Sequence, residues 1–265
     1  MRIRKAFLWG AVLCAGASCA SAGIVRVAEG TQNKVLARVV SGGGWDTVVV
    51  ITNLGPAPVA FQQFFLGPDG GPAAFRLEAQ TANNGLAAAA LRGTVGANAS
   101  LHFTLRDSGD SIQEGWSLLS FDAAQGRLGG YAVIQHQTSS GALSEATVPL
   151  SDMQDFTVRM SFDNTGGFRS QLTLVNPAGN LAAQVSLTYF DPRGQVILLD
   201  VVQLQAGEQM TIDVPNTYPD LANQAGTVAV AANIDRLSVA GIRYSSASGA
   251  ISPLMTMAAG GSTVQ

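Results

Sequence analysis

One stretch of eleven residues occurs twice in this chain, and it limits what the chain can fold into. The first copy is Gly43-Gly44-Trp45-Asp46-Thr47-Val48-Val49-Val50-Ile51-Thr52-Asn53. The second is Gly166-Gly167-Phe168-Arg169-Ser170-Gln171-Leu172-Thr173-Leu174-Val175-Asn176. A glycine pair, an aromatic, a hydroxyl residue, two apolar positions and a closing Asn recur at one spacing. A strand alternates its side chains between two faces. On that reading Trp45, Thr47, Val49, Ile51 and Asn53 share one face, and Phe168, Ser170, Leu172, Leu174 and Asn176 share the matching one. Gln171 and Thr173 then point outward, as in a half-buried strand. The glycines ahead of each aromatic permit a turn with positive φ. Each Asn precedes turn residues and is placed to hydrogen-bond nearby backbone. Trp45, Phe168, Asn53 and Asn176 are therefore the expected structural anchors.

The echo extends along the chain. Val59, Phe61 and Phe65 answer to Val185, Leu187 and Tyr189, and both strands run into Pro-x-Gly turns, Gly67-Pro68-Asp69-Gly70 and Asp191-Pro192-Arg193-Gly194. Pro at the second turn position and Gly at the fourth suit a type I turn. Gly96, Gly115 and Gly130 pair with Gly207, Gly226 and Gly241, each ahead of an apolar run. The copies differ at an insertion of roughly Pro72 to Gly85 in the first, in which Phe75-Arg76-Leu77-Glu78 is expected as a short strand or a turn of helix and whose small polar tip contains Asn83 and Asn84. Loops on a rigid scaffold commonly carry recognition, so that tip is a candidate contact surface. Deleting residues 74–84 is expected to leave the fold intact.

The chain begins with a targeting pattern. A basic Met1-Arg2-Ile3-Arg4-Lys5 precedes an apolar stretch from Ala6 to Ala17, and Ala20-Ser21-Ala22 is a small-x-small cleavage site. The order predicts a signal peptide over 1–22, cut after Ala22. Both cysteines, Cys14 and Cys19, lie in that segment. The remainder then has no thiol to cross-link and relies on its apolar cores. With 265 residues, 47% of them hydrophobic, it has material for two domains of ordinary size. Loss of three basic residues leaves a chain more acidic than the formal net charge of −3, with Lys34 as its lysine. That composition argues against nucleic acid or anionic lipid as partner.

About seven short strands per copy, turn signals at about 8–12-residue spacing and copies near 110 residues describe an all-β chain of two tandem immunoglobulin- or fibronectin-like β-sandwich domains. The expected layout is a first domain over 23–150, a second over 151–258 and a flexible tail over 259–265. An outer-membrane barrel would need lipid-facing alternation and aromatic girdles, and aromatics are only 7% of the chain. The Gly-Gly-Trp-x-Thr, Asn, Pro-x-Gly pattern resembles repeats of uncharacterised secreted bacterial proteins described as immunoglobulin-like, often in tandem. The resemblance covers nearly all of the chain after the leader. It implies a fold and a secreted, periplasmic or cell-surface habit, and it carries no functional residues.

Residues for chemistry are sparse. His102 and His136 each sit in an expected strand without a second ligand at metal spacing. No Gly-x-Ser-x-Gly elbow and no phosphate-cradling loop occurs. Asp152, Asp155, Asp163 and Asn164 gather near the join between copies, where calcium is sometimes held by carboxylate and amide oxygens, but their spacing fits no such loop. Trp116 has Thr227 as its counterpart and is either a sugar-stacking platform or a core or rim residue. Trp116, Tyr218 and Tyr189 are the aromatics to consider for a glycan. The sequence thus predicts no catalytic, cofactor-binding or metal-binding residue. It predicts a non-catalytic exported protein with a structural, adhesive or protein-binding role. A carbohydrate-binding module is the alternative, and an outer-membrane-associated β protein or a hydrolase comes third. It is not expected to be an integral membrane protein.

Overall fold

A computed structural model describes residues 30–79, 86–138, 140–152, 157–234 and 236–258. The leader, Asn83 and Asn84, Asp155 and the tail lie outside the described residues. The chain is all-β, 64% strand and 3% helix. Eleven strands come from the first half: β1 (Thr31–Ser41), β2 (Trp45–Asn53), β3 (Val59–Leu66), β4 (Phe75–Ala79), β5 (Leu86–Ala88), β6 (Ala90–Val95), β7 (Ser100–Arg106), β8 (Gln113–Asp122), β9 (Leu128–Gln137), β10 (Leu143–Pro149) and β11 (Ser151–Asp152). Nine come from the second: β12 (Thr157–Asp163), β13 (Phe168–Val175), β14 (Ala183–Phe190), β15 (Val196–Leu204), β16 (Gln209–Asp213), β17 (Ala225–Ala232), β18 (Ser238–Ser245), β19 (Ile251–Leu254) and β20 (Thr256–Ala258). A single helical turn, α1 (Val214–Thr217), and a 3-10 turn at Pro219–Leu221 follow β16.

Among the described residues four open antiparallel sheets form, and none of them mixes strands from the two halves. Sheet A has the order β11-β1-β8-β3-β6, and sheet C has the order β15-β14-β17-β12-β20, which is the same arrangement read backwards. Sheet B runs β10-β9-β2-β7-β4-β5 and sheet D runs β16-β13-β18-β19, so D matches the first four strands of B. Neighbours in a sheet are mostly non-consecutive in sequence. An immunoglobulin domain places its last strand beside F and its first beside B. Here the first strand, β1, lies beside β8, and β9 crosses to the other sheet to lie beside β2. The all-β class expected from the sequence is present, but the four sheets are arranged as a four-blade propeller-like ring and not in the immunoglobulin strand order.

The repeated stretch makes the same contacts in both halves. Gly43 and Gly44 have φ of 59° and 84°, and Gly166 and Gly167 have 59° and 82°. Two successive positive φ values make the hairpin turn whose twist matches that of its strands. The Thr47 hydroxyl donates to Val40 O and accepts from Val40 N, and Ser170 does the same with Asp163. Asn53 Nδ2 donates to Ala57 O, Val95 O and Gly96 O while its Oδ1 accepts from Gly55 N. Asn176 repeats this with Leu181 O, Leu204 O, Gln205 O and Ala178 N. Both Asn side chains are almost wholly buried, which explains the residue: one amide satisfies three loop carbonyls that burial would leave unpaired. Gly115 and Gly226 also correspond, since a Cβ there would meet Leu66 O at 2.1 Å and Phe190 O at 2.0 Å.

The insertion is not a free loop. Its β4 and β5 extend sheet B beyond β7, and Phe75 and Leu77 are fully buried. Removing residues 74–84 would therefore remove core, contrary to the sequence expectation. Strand β11 pairs with β1, so sheet A continues through Asp152, past the expected boundary at 150.

The halves are packed together. The first core cluster includes Val175, Ala240, Ile242 and Ile251 from the second half. Thr173 points away from its own core, as the alternation predicts, yet it is 1% exposed, on the face where Gln171 meets Arg38 and Val175 joins the first half's core. Sheet A carries a bulge between Leu36 and Val39. Gln209 Nε2 fills that break, donating to Ala37 O at 2.7 Å and to Gly115 O at 2.8 Å. Arg38, almost wholly buried, bonds Gln171 Oε1 across the junction and Glu114 Oε1 beside it. Trp116 Nε1 donates to Gly207 O at 3.0 Å.

Candidate ligand cleft beside Trp45

Strand β2 opens on Trp45 and Asp46, immediately after the glycine turn. Strand β7 ends at Arg106, directly opposite Asp46, and then passes into an exposed loop, Asp107-Ser108-Gly109-Asp110. Gly43 N donates to Gly109 O and ties the loop to the turn. With Gln135, Gln137 and Leu143 from β9 and β10, these residues line a cleft of about 540 Å3. Leu143 is 60% exposed there.

The lining is polar and largely pre-arranged. Arg106 Nε donates to Asp46 Oδ2 at 2.8 Å, and its Nη1 reaches Glu78 Oε2 at 3.0 Å. The Asp46 hydrogen bond, opposed in part by burial, raises the pKa of the guanidinium further. Gln135 Nε2 donates to Glu145 Oε1. Asp107 Oδ1 accepts from Gly109 N and sets the loop's turn. Such a surface offers an indole, an aliphatic side chain, amides and carboxylates at fixed positions.

Trp45 is half-buried and not a full core anchor. Its ring stacks on His136 with centroids 4.1 Å apart, and His136 Nδ1 donates to Gly249 O at 2.7 Å. Phe168 has the same station in the second half and is likewise half-buried, with the Arg243 guanidinium 4.2 Å from its ring centre. The aromatic in each copy thus seals the rim of a core beneath a polar group. His136 has a structural partner, and His102 lies exposed on β7.

The sequence candidates do not converge on one place. Trp116 is 3% exposed and wedged against the second half, so its ring presents no platform. Tyr218 is 9% exposed, and its hydroxyl donates to Asp200 Oδ2 at 2.7 Å. Burial and then the Asp200 hydrogen bond raise its pKa far above the usual phenol value. Tyr189 is fully buried, and burial raises its pKa too, with Asp200 adding to the effect. Both phenols belong to the core of the second half. Of the four oxygen-bearing residues near the join, Asp152 pairs with Lys34 and Asp163 with Arg243. Burial alone would raise the Asp163 pKa, but hydrogen bonds from Thr165 and Arg243 outweigh it and hold the carboxyl below its usual value. Asn164 bonds Leu221 O and Ser170 N. These oxygens are engaged by the protein itself.

Sequence reasoning missed Asp46, Arg106, Gln135 and Gln137. The available signal was the Asp-Ser-Gly-Asp loop, a polar turn cluster of the kind that tips a strand pair. It was indistinguishable from any other hairpin end until β7 was seen beside β2. In the second half the corresponding connection holds α1 and the 3-10 turn, with Val214, Tyr218 and Leu221 buried. Comparison with protein-family models, with curated proteins and with solved structures found no match.

Proposed function

We propose that the chain is a non-catalytic exported binding protein, built from a duplicated all-β module and using the cleft beside Trp45 for recognition. One observation carries the reading. The two copies share their scaffold down to single hydrogen bonds, yet the connection after β7 is an exposed loop lining a cleft, whereas the one after β16 is folded into the core. A binding function particular to one copy belongs where the copies diverge. Export rests on the leader pattern of the sequence.

The cleft also favours a second reading, that the ligand is a glycan. An aromatic rim beside amides and carboxylates fits a sugar's apolar face and its hydroxyls. The test uses the full chain after Ala22 on glycan arrays and in crosslinking from intact cells. The variants are Asp110→Ala, Gln137→Ala and Leu143→Ala, all exposed and outside the core. At least a tenfold loss of binding is expected with unchanged melting. Undiminished attachment by all three would remove the cleft from consideration.

A further inference from the structure

The cleft beside Trp45 is unevenly charged. Its charged lining residues are Asp46, Asp107 and Asp110 against Arg106 alone. Arg106 is already committed, since it donates to both Asp46 and Glu78. Asp107 gives one oxygen to Gly109 N, and Asp110 makes no hydrogen bond or ion pair among the described residues. Both aspartates stand exposed on the loop after β7. Glu145, which accepts from the lining residue Gln135, adds charge of the same sign beside them.

The second half shows what an aromatic at this station can hold. Phe168, the counterpart of Trp45, carries the Arg243 guanidinium 4.2 Å from its ring centre, and Asp163 Oδ2 accepts from that guanidinium at 2.8 Å. The chain there supplies its own cation between a ring and a carboxylate. Strand register puts Ile134 opposite Thr47, where Arg243 stands opposite Ser170. The first half keeps the aromatic and has carboxylates beside it, but it lacks that cation.

We infer, resting on the assignment of the cleft as the recognition site, that its ligand is an organic cation: the ammonium or guanidinium head of a long alkyl stem. The head lies against Asp107 and Asp110, where negative charge is left unpaired. The stem lies along the exposed side chain of Leu143 and toward the indole of Trp45. Indole attracts a cation better than the other aromatic side chains do. Lysine and arginine have this build, an apolar stem ending in a charge, and the exposed Gln137 offers an amide to the backbone of a peptide that bears them. A polyamine has the same chemistry without the backbone. A neutral sugar gains nothing from the two aspartates, and an acidic one is repelled by them. The net negative charge of the chain acts in the same direction during approach.

Amide NMR on the full chain after Ala22, titrated with tetra-arginine, spermidine, cellohexaose and tetra-glutamate, tests this. Tetra-arginine should shift the amides of Gly43, Gly109, Asp110 and Gln137, while cellohexaose and tetra-glutamate leave them in place. Spermidine acting as strongly as the peptide assigns a free polyamine as the source, and the peptide acting alone assigns a protein segment; both bear the inference out. Affinity should fall at least tenfold in the double variant Asp107→Asn, Asp110→Asn, and again between about 20 mM and about 500 mM salt. Asparagine keeps the oxygen that takes Gly109 N, and both positions are exposed, so melting should not change. Cellohexaose shifting the cleft amides while tetra-arginine does not overturns the inference and leaves the cleft reading standing. Tetra-arginine shifting acidic sites elsewhere, such as Asp122 and Asp220, as strongly as the cleft also overturns it. Silence from all four probes overturns it too, and cell attachment by Gln137→Ala then decides separately whether the cleft is the recognition site.

Discussion

The two halves fill the same place in their cores from different parts of the chain. In the first, Phe75 arrives on β4, ahead of β7, and its ring lies 5.8 Å from that of Phe65. In the second, Tyr218 arrives after β16, just past α1, and lies 5.4 Å from Tyr189, the counterpart of Phe65. One copy extends a sheet by two strands, and the other folds a helical turn into the same gap. A duplicated scaffold therefore tolerates different plugs, provided that the apolar volume is restored, because dense packing and not strand identity is what the core requires. The plug used also decides what the outside looks like. Placing it before β7 leaves the following loop free to line a cleft.

That comparison can be broken most sharply at Phe75. Phe75→Ala should cost about 3–5 kcal/mol, as should Tyr218→Ala, each read in chemical denaturation. A loss under about 1 kcal/mol at either would mean that the two rings do not do equivalent work. The Asn pair comes next. Asn53→Ala and Asn176→Ala each strand three loop carbonyls, and each should cost about 2–3 kcal/mol. Equal losses sharpen the correspondence, and a twofold difference breaks it.

A smaller effect separates the plugs by pH. Burial and Asp200 raise the phenol pKa values in the folded second half, so the unfolded chain loses those protons first, from about pH 10. Stability is constant below that pH and falls as pH rises above it. Melting curves from pH 8 to 11 should show this, and Tyr218→Phe, which costs about 1 kcal/mol for the lost hydrogen bond, should fall less steeply. Phe75 gives the first half no such dependence. The smallest effect is on the acid side. Asp163 is held below its unfolded pKa, so its contribution is present above about pH 4 and fades as pH falls through the folded value. Asp163→Asn should flatten melting between pH 5 and pH 3 slightly.

Much of this was legible in the sequence. The period-2 pattern and the paired glycines gave the strands and turns of both copies, and the closing Asn was identified as a turn-fixing residue. What covers a strand's second face was not legible. Alternation set Thr173 outward correctly, but nothing local says that another half will bury it. Trp116 and Gln209 were opaque for the same reason: each does its work across about 90 residues of sequence, Trp116 on Gly207 and Gln209 on Gly115. The insertion was read in part: a short strand at Phe75–Glu78 was among the readings and is present, but the Gly, Pro and Asn content around it marks a loop and hid that Phe75 and Leu77 complete a core. The cleft lay beyond reach because it is made by adjacency of β2, β7 and β9, and strand order is not written in any one segment.

The bulge in β1 that Gln209 fills has a consequence for assembly. The second half docks on the first head to tail, through different surfaces on the two copies, and a contact of that kind repeats without limit when every unit bears the receiving surface. The receiving surface here is the bulge, Arg38 and Trp116. Strand β12 pairs with β17 in unbroken register, and Thr227 stands where Trp116 would be. The second unit carries the plug, Gln209, without the socket. A third unit of this kind would find on the second neither the bulge nor an indole to receive its own Gln209.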